Sequence, residues 1–168
     1  MTSARSAPTF DAPPDRVAVA WLLVAVWAGL VWWLGSGQFG APATSRFLEP
    51  LLRWLWPDGS PGQRFALLLA IRKLAHPTVY GVLSALAFRA ALLSGVSGLL
   101  RSAAVALGLA VGVAGLDELR QSRTPTRTGS PADVALDAAG ASAALAALAL
   151  LRRRASLPAV DDLRDSAP

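Results

Sequence analysis

A chain of 168 residues that is 54% hydrophobic and 16% charged is too apolar for an ordinary soluble domain and suits one small polytopic membrane protein. Its formal charge of +5 comes from fifteen arginines and one lysine that lie between apolar segments and form no basic patch, so no nucleic-acid partner is expected. With no cysteine, disulfides, thiolate metal sites and thiol nucleophiles are excluded.

In chain order, residues 1–15 carry three prolines and no periodic apolar face, and read as a flexible N-terminal tail. The membrane domain is expected over 16–154. Its first helix covers about 17–34, eighteen residues without a charge, with Trp32 and Trp33 suited to the far interface. A signal peptide is the competing reading. The length of the run and its four tryptophans favour an uncleaved helix. Gly35 to Gly40 spells GxGxxG, but it follows a membrane helix with no strand-turn-helix around it, so it reads as a flexible loop. From Phe47 to Trp56, apolar residues alternate with Arg46 and Arg53 in a short amphipathic stretch, ended by Pro57-Asp58-Gly59. It is expected to lie in the interface plane, or else to be a loop packed on the bundle.

The second membrane helix is expected over about 65–93. It contains the chain's single lysine, histidine and tyrosine: Lys73, His76 and Tyr80. At three- and four-residue spacing their directions span roughly 60° of the helix surface, which makes one polar stripe on an apolar helix. Pro77 directly follows His76, removes the bond that residue 77 would donate to the Lys73 carbonyl, and predicts a kink beside the stripe. The third helix, about 99–121, carries Gly108, Gly112 and Gly115, whose spacing predicts close helix contact. Its end is polar, with Asp117, Glu118, Arg120 and Gln121. Ser130, Pro131 and Asp133 then resemble an N-cap, a first-turn proline and the acid of a capping box. The fourth helix, about 131–151, places Asp133, Asp137, Gly140 and Ala144 on one face. Arg152 to Arg154 stop it, and 155–168 form a polar C-terminal tail.

The fold class expected is therefore all-α, a four-helix transmembrane bundle. Four spans bring the start of helix two, the end of helix three and the start of helix four to the same membrane face. Lys73, His76, Tyr80, Glu118, Gln121, Arg123, Arg127, Asp133 and Asp137 then share a polar pocket, with Asp137 and His76 roughly 9 Å below the interface. Charges facing lipid cost about 2.5–3.5 kcal/mol at a helix centre, so these groups should turn inward.

The residue types suggest roles. Lys73 and Arg127 suit an anionic headgroup, and Lys73 paired with Glu118 or Asp137 is the structural alternative. His76 and Glu118 are candidate acid–base groups, against a histidine merely bonded beside the kink. Tyr80 reads as a packing residue and Asp133 as a cap. A divalent cation on Asp117, Glu118, Asp133 and Asp137 is disfavoured by the cations crowding them, and no cofactor is expected. Basic residues number eight on each side, but several on the pocket side belong to the pocket. That weighting puts both termini in the cytoplasm and the pocket outside.

These residues resemble the VanZ-like family of bacterial membrane proteins. That family's pattern is a Lys-x-x-His-x-x-x-Tyr helix, an Asp-Glu-x-x-Gln helix end, a Pro-Gly-Arg loop, and a final helix with Asp, Asn and Gly. Lys73, His76 and Tyr80 match the first part; Asp117, Glu118, Gln121, Pro125, Arg127, Ser130, Asp133 and Gly140 match the rest without an insertion. Thr126 stands in place of the loop glycine and Asp137 in place of the usual asparagine. The family takes its name from a teicoplanin resistance factor. The resemblance implies a multi-pass protein of the bacterial plasma membrane, with a link to glycopeptide resistance, whose polar site binds or modifies an anionic lipid or cell-envelope precursor. A non-catalytic envelope protein held by the same ion pairs is the alternative; a proton-coupled transporter is a third reading, weakened by the lack of a visible inverted repeat.

Overall fold

The computed structural model describes residues 12–36, 41–123 and 130–155, without the side chains of residues 41–44 and 155. Among the described residues five helices follow one another: α1 (Pro14–Leu34), α2 (Ala41–Leu55), α3 (Pro61–Leu93), α4 (Leu99–Gln121) and α5 (Pro131–Ala155). Of these, α1, α3, α4 and α5 are long and apolar enough to cross a membrane. Both described ends of the chain therefore lie at one face of the bundle, and α2 lies at the other. Of the expected tails, residues 1–11 and 156–168 lie outside the described residues, as do 37–40 of the glycine-rich loop.

Local chemistry sets the helix ends. α1 begins three residues before the expected Val17, with Pro14 at its first turn, where the missing N–H costs nothing. α3 begins four residues before the expected Phe65, because Ser60 and Gln63 form a reciprocal capping box over Pro61. The turn into α4 needs two residues at positive φ, which Gly95 and Gly98 supply. α5 continues through the arginine run to Ala155, since its backbone needs no apolar side chains once it leaves the hydrocarbon.

α3 is the hub against which every other helix packs. Its second half carries the core, where Tyr80, Leu83, Ala87, Phe88, Ala90 and Ala91 are almost wholly covered. Against them α4 presents Ser102, Ala106, Ala110 and Ala114, a run at i, i+4, i+8 and i+12 with essentially no exposure. Small side chains at that period let two backbones approach, the usual basis of helix association in lipid. The contact expected from Gly108, Gly112 and Gly115 does not form; a Cβ on any of them would meet nothing within 4 Å. The alanine row wins because it lies on the side of α4 that faces α3 and α5.

The crossing of α3 with α5 is tighter still. A Cβ on Gly140 would overlap the backbone of Pro77, and one on Gly81 would sit 3.3 Å from the Gly140 carbonyl and 3.5 Å from Ala144 Cβ. Ser84 reinforces the crossing by donating to the Ala141 carbonyl at 3.1 Å. α1 is tied on by its tryptophans: Trp27 donates to the Val79 carbonyl at 2.9 Å and Trp21 to Ser94 Oγ at 2.9 Å.

The amphipathic stretch is a helix, not a loop. α2 buries Leu52 and leaves Phe47, Leu51, Trp54 and Leu55 uncovered on one side, while Arg53 pairs with Glu49 at 2.7 Å on another. An uncovered aromatic and aliphatic face beside a charged one fits the headgroup boundary.

Gly140→Ala is expected to cost about 1–3 kcal/mol, because the Pro77 backbone cannot yield to the new methyl. Gly112→Ala should leave stability unchanged or raise it by up to about 1 kcal/mol, as alanine relieves helical glycine entropy. Thermal melting of the two variants in detergent checks the contrast.

Candidate functional site

The α3–α5 crossing determines what meets at the site. One residue before Pro77 and one turn before Gly140, His76 and Asp137 come face to face, with Nδ1 and Oδ1 3.6 Å apart. Asp137 is buried at 2% exposure, whereas the His76 side chain retains 32%. Neither of these two atoms has a hydrogen-bond partner among the described residues. At 3.6 Å the pair is too long for a direct bond but close enough for attraction.

The stripe on α3 is graded from outside to inside. Lys73 is exposed and makes no described ion pair, His76 is half-buried, and Tyr80 is buried. The pairing of Lys73 with Glu118 or Asp137 that would make it a structural lysine is not what the chain adopts. Asp137 takes His76 instead.

At the end of α4, the polar run turns inward. Asp117, Glu118 and Gln121 are buried at 3%, 7% and 6% exposure. Asp117 accepts from Arg120 at 2.5 Å and from Gln121 Nε2 at 2.7 Å. Arg120 also donates to the Trp32 carbonyl at 2.8 Å, with its guanidinium 4.3 Å from the Trp32 ring centre. Asp117 and Arg120 thus clamp the last turn of α1, where a Cβ on Gly35 would overlap the Asp117 carboxylate.

Glu118 reaches across the corner between α4 and α5 and accepts from the Ser130 backbone N–H at 2.7 Å. This corrects the expected capping box. Ser130 does use its hydroxyl, which accepts from the Ala132 N–H at 3.2 Å, but the reciprocal acid is Glu118 and not Asp133. A carboxylate from the neighbouring helix reaches the N–H at normal length and complements the positive end of α5. Asp133 remains half-buried in the first turn of α5. Arg123 is exposed just beyond α4, and Arg127, with Pro125 and Thr126, lies outside the described residues. Among the described residues no three His, Asp or Glu side chains are grouped to hold a metal ion.

The VanZ/LLP1 family model matches residues 20–152, most of the chain, from within α1 to near the end of α5 and including the whole site. The protein belongs to the VanZ/LLP1 family. No curated protein and no solved structure gives a significant match to the chain. Within this family member, the motif residues divide by what they touch. His76, Asp137 and Lys73 keep unsatisfied or exposed polar atoms, while Asp117, Glu118 and Gln121 are engaged in holding helices.

Several contributors were less visible in sequence. Trp32 does more than suit an interface, since its carbonyl and ring hold Arg120. Gln63 completes a Ser-Pro-x-Gln pattern that is a legible helix start.

The engaged carboxylate makes a quantitative distinction. Glu118→Ala should destabilise the fold by about 1–3 kcal/mol by orphaning the Ser130 N–H, whereas Asp133→Ala should cost less than about 1 kcal/mol. Chemical or thermal unfolding in detergent distinguishes this order from its reverse.

Proposed function

We propose that this VanZ/LLP1 membrane protein binds, or chemically alters, an anionic lipid or cell-envelope precursor at the polar site between α3, α4 and α5. The observation that carries the reading is the facing pair His76 and Asp137, buried in an apolar bundle with both facing atoms unbonded. Buried polar atoms are normally satisfied, so an unsatisfied pair is a place where a bound polar group gains two partners. His76 is open enough to exchange a proton with that group, and Asp137 orients its ring. Lys73 and Arg123, exposed at the same face, and Arg127 supply the positive charge that draws and holds the anion. Tyr80 forms the floor, Gln121 and Asp133 border the ligand, and Glu118 keeps the α4–α5 corner in place.

The proposal sets the chain in the bacterial plasma membrane with both termini cytoplasmic and the site outside, where envelope precursors are exposed. A link to teicoplanin-type resistance rests on the resemblance to a family that takes its name from such a factor. A reporter fused after Arg154 should give a cytoplasmic signal; an extracytoplasmic one reverses the orientation.

A second reading has its own support. The bonds of Asp117 to Arg120 and of Glu118 to Ser130 are those of a framework, and a non-catalytic envelope protein needs nothing more of them. The two readings part at His76, Asp137, Lys73 and Arg127. Under the binding reading, His76→Ala, Asp137→Ala, Lys73→Gln and Arg127→Gln each weaken retention of co-purified lipid or precursor by about tenfold, as expected for one charge-assisted contact. Mass spectrometry of the purified variants measures this. Full retention by all four folded variants would sink the proposal, and lowered melting temperatures without any ligand change would favour the framework.

A further inference from the structure

At the opposite face of the bundle, far from His76 and Asp137, the first turns of α1 meet the last turns of α3 around a cavity of about 290 Å³. Its rim carries Arg16 and Asp15 from α1 and Arg89 from α3, and its wall is apolar, with Val19 and Leu23 facing Leu86. The volume is at the lower end of the range for small-molecule sites, which begins at about 300 Å³. No described ion pair or hydrogen bond engages the side chains of Arg16, Arg89 or Asp15.

We propose that this groove holds one anionic glycerophospholipid of the surrounding leaflet, its phosphate between Arg16 and Arg89 and an acyl chain along Val19, Leu23 and Leu86. Three observations converge on that occupant. Guanidinium groups from two different helices border one cavity, and their planar forks match phosphate oxygens two at a time. The apolar wall continues into the lipid-facing surface of α1, where Val19 is 56% and Leu23 47% exposed, so a chain can lie from the groove into the bilayer. Two arginines against one aspartate leave the rim at +1, which suits a singly charged phosphodiester; Asp15 can accept from a headgroup hydroxyl. Arginines that merely snorkel at a helix end require no cavity between them.

The test uses the whole purified protein in detergent, titrated with phosphatidylglycerol, phosphatidylethanolamine or phosphatidylcholine and read by native mass spectrometry. One phosphatidylglycerol should be retained in preference to the two zwitterionic lipids. Arg16→Gln with Arg89→Gln should weaken that retention by about tenfold, and either change alone by roughly threefold. The single variants carry the test if the double one does not fold. Arg101→Gln is the charge control, since Arg101 lies at the same face outside the groove and donates to Ser97 Oγ at 3.1 Å. Equal retention of the three lipids, or an equal loss on Arg101→Gln, would overturn the site. His76→Ala should leave it intact, which separates this outcome from that of the polar site.

Discussion

The close approach of two backbones at the α3–α5 crossing, Pro77 of α3 against Gly140 of α5, is the constraint from which the site follows. Proline at 77 leaves one carbonyl of α3 without its helical donor, and a residue with no side chain at 140 lets the α5 backbone come against it. A bulkier residue 140 would hold α5 further off. His76 and Asp137 inherit their 3.6 Å separation from that crossing, because each lies within one turn of it. The pair is thus placed by backbone geometry, and no hydrogen bond between its two facing atoms is needed to keep it there.

The rest of the polar chemistry follows from the solvent. In hydrocarbon every N–H and C=O must find a partner inside the protein, and each interhelical bond there substitutes for water. The chain meets this with single, long-range donors: Trp27 to the Val79 carbonyl, Ser84 to the Ala141 carbonyl, Arg120 to the Trp32 carbonyl. Each joins a side chain of one span to the backbone of another, so each sets axial register as well as contact. Glu118 does the same at the α4–α5 corner, turning what looks like an intramembrane acid into a cap for the next helix. Among the acids buried at the site, Asp117 and Glu118 are hydrogen-bonded, and Asp137 keeps an oxygen unbonded. That difference sets Asp137 apart from the two acids that hold helices.

Much of this was legible in the residues. Long apolar runs gave the four spans, and the spacing of Lys73, His76 and Tyr80 identified the side of α3 from which a polar site grows. The limits were physical. Small-residue periodicity cannot say which of two faces packs, and on α4 both the glycine row and the alanine row had the right spacing; only the position of α3 and α5 decided for alanine. A local capping signature at Ser130 and Asp133 could not anticipate a carboxylate arriving from another helix, since competition for an N–H is settled by tertiary distance. Ser60 and Gln63, by contrast, were a local signal that the apolar boundary at Phe65 obscured.

The length of α3 bears on how the site opens. α3 and α5 run in the same direction, and His76 is level with Asp137, which lies six residues into α5; the start of α5 is therefore level with about Ala70. Some nine residues of α3, roughly 14 Å at 1.5 Å per residue, extend beyond it. α2 packs on α3 there, with Leu52 and Leu68 buried and Phe47, Trp54 and Phe65 left uncovered. An apolar helical hairpin standing beyond the α4–α5 corner is costly in water and natural in the outer part of a bilayer. Placed there, it adds lipid-compatible surface beyond the α4–α5 corner, on the side of the bundle where Lys73 is exposed. Under the binding reading proposed above, a ligand with a charged head and an apolar tail would meet both the hairpin and the polar site, whereas a small hydrophilic solute would meet only one of them.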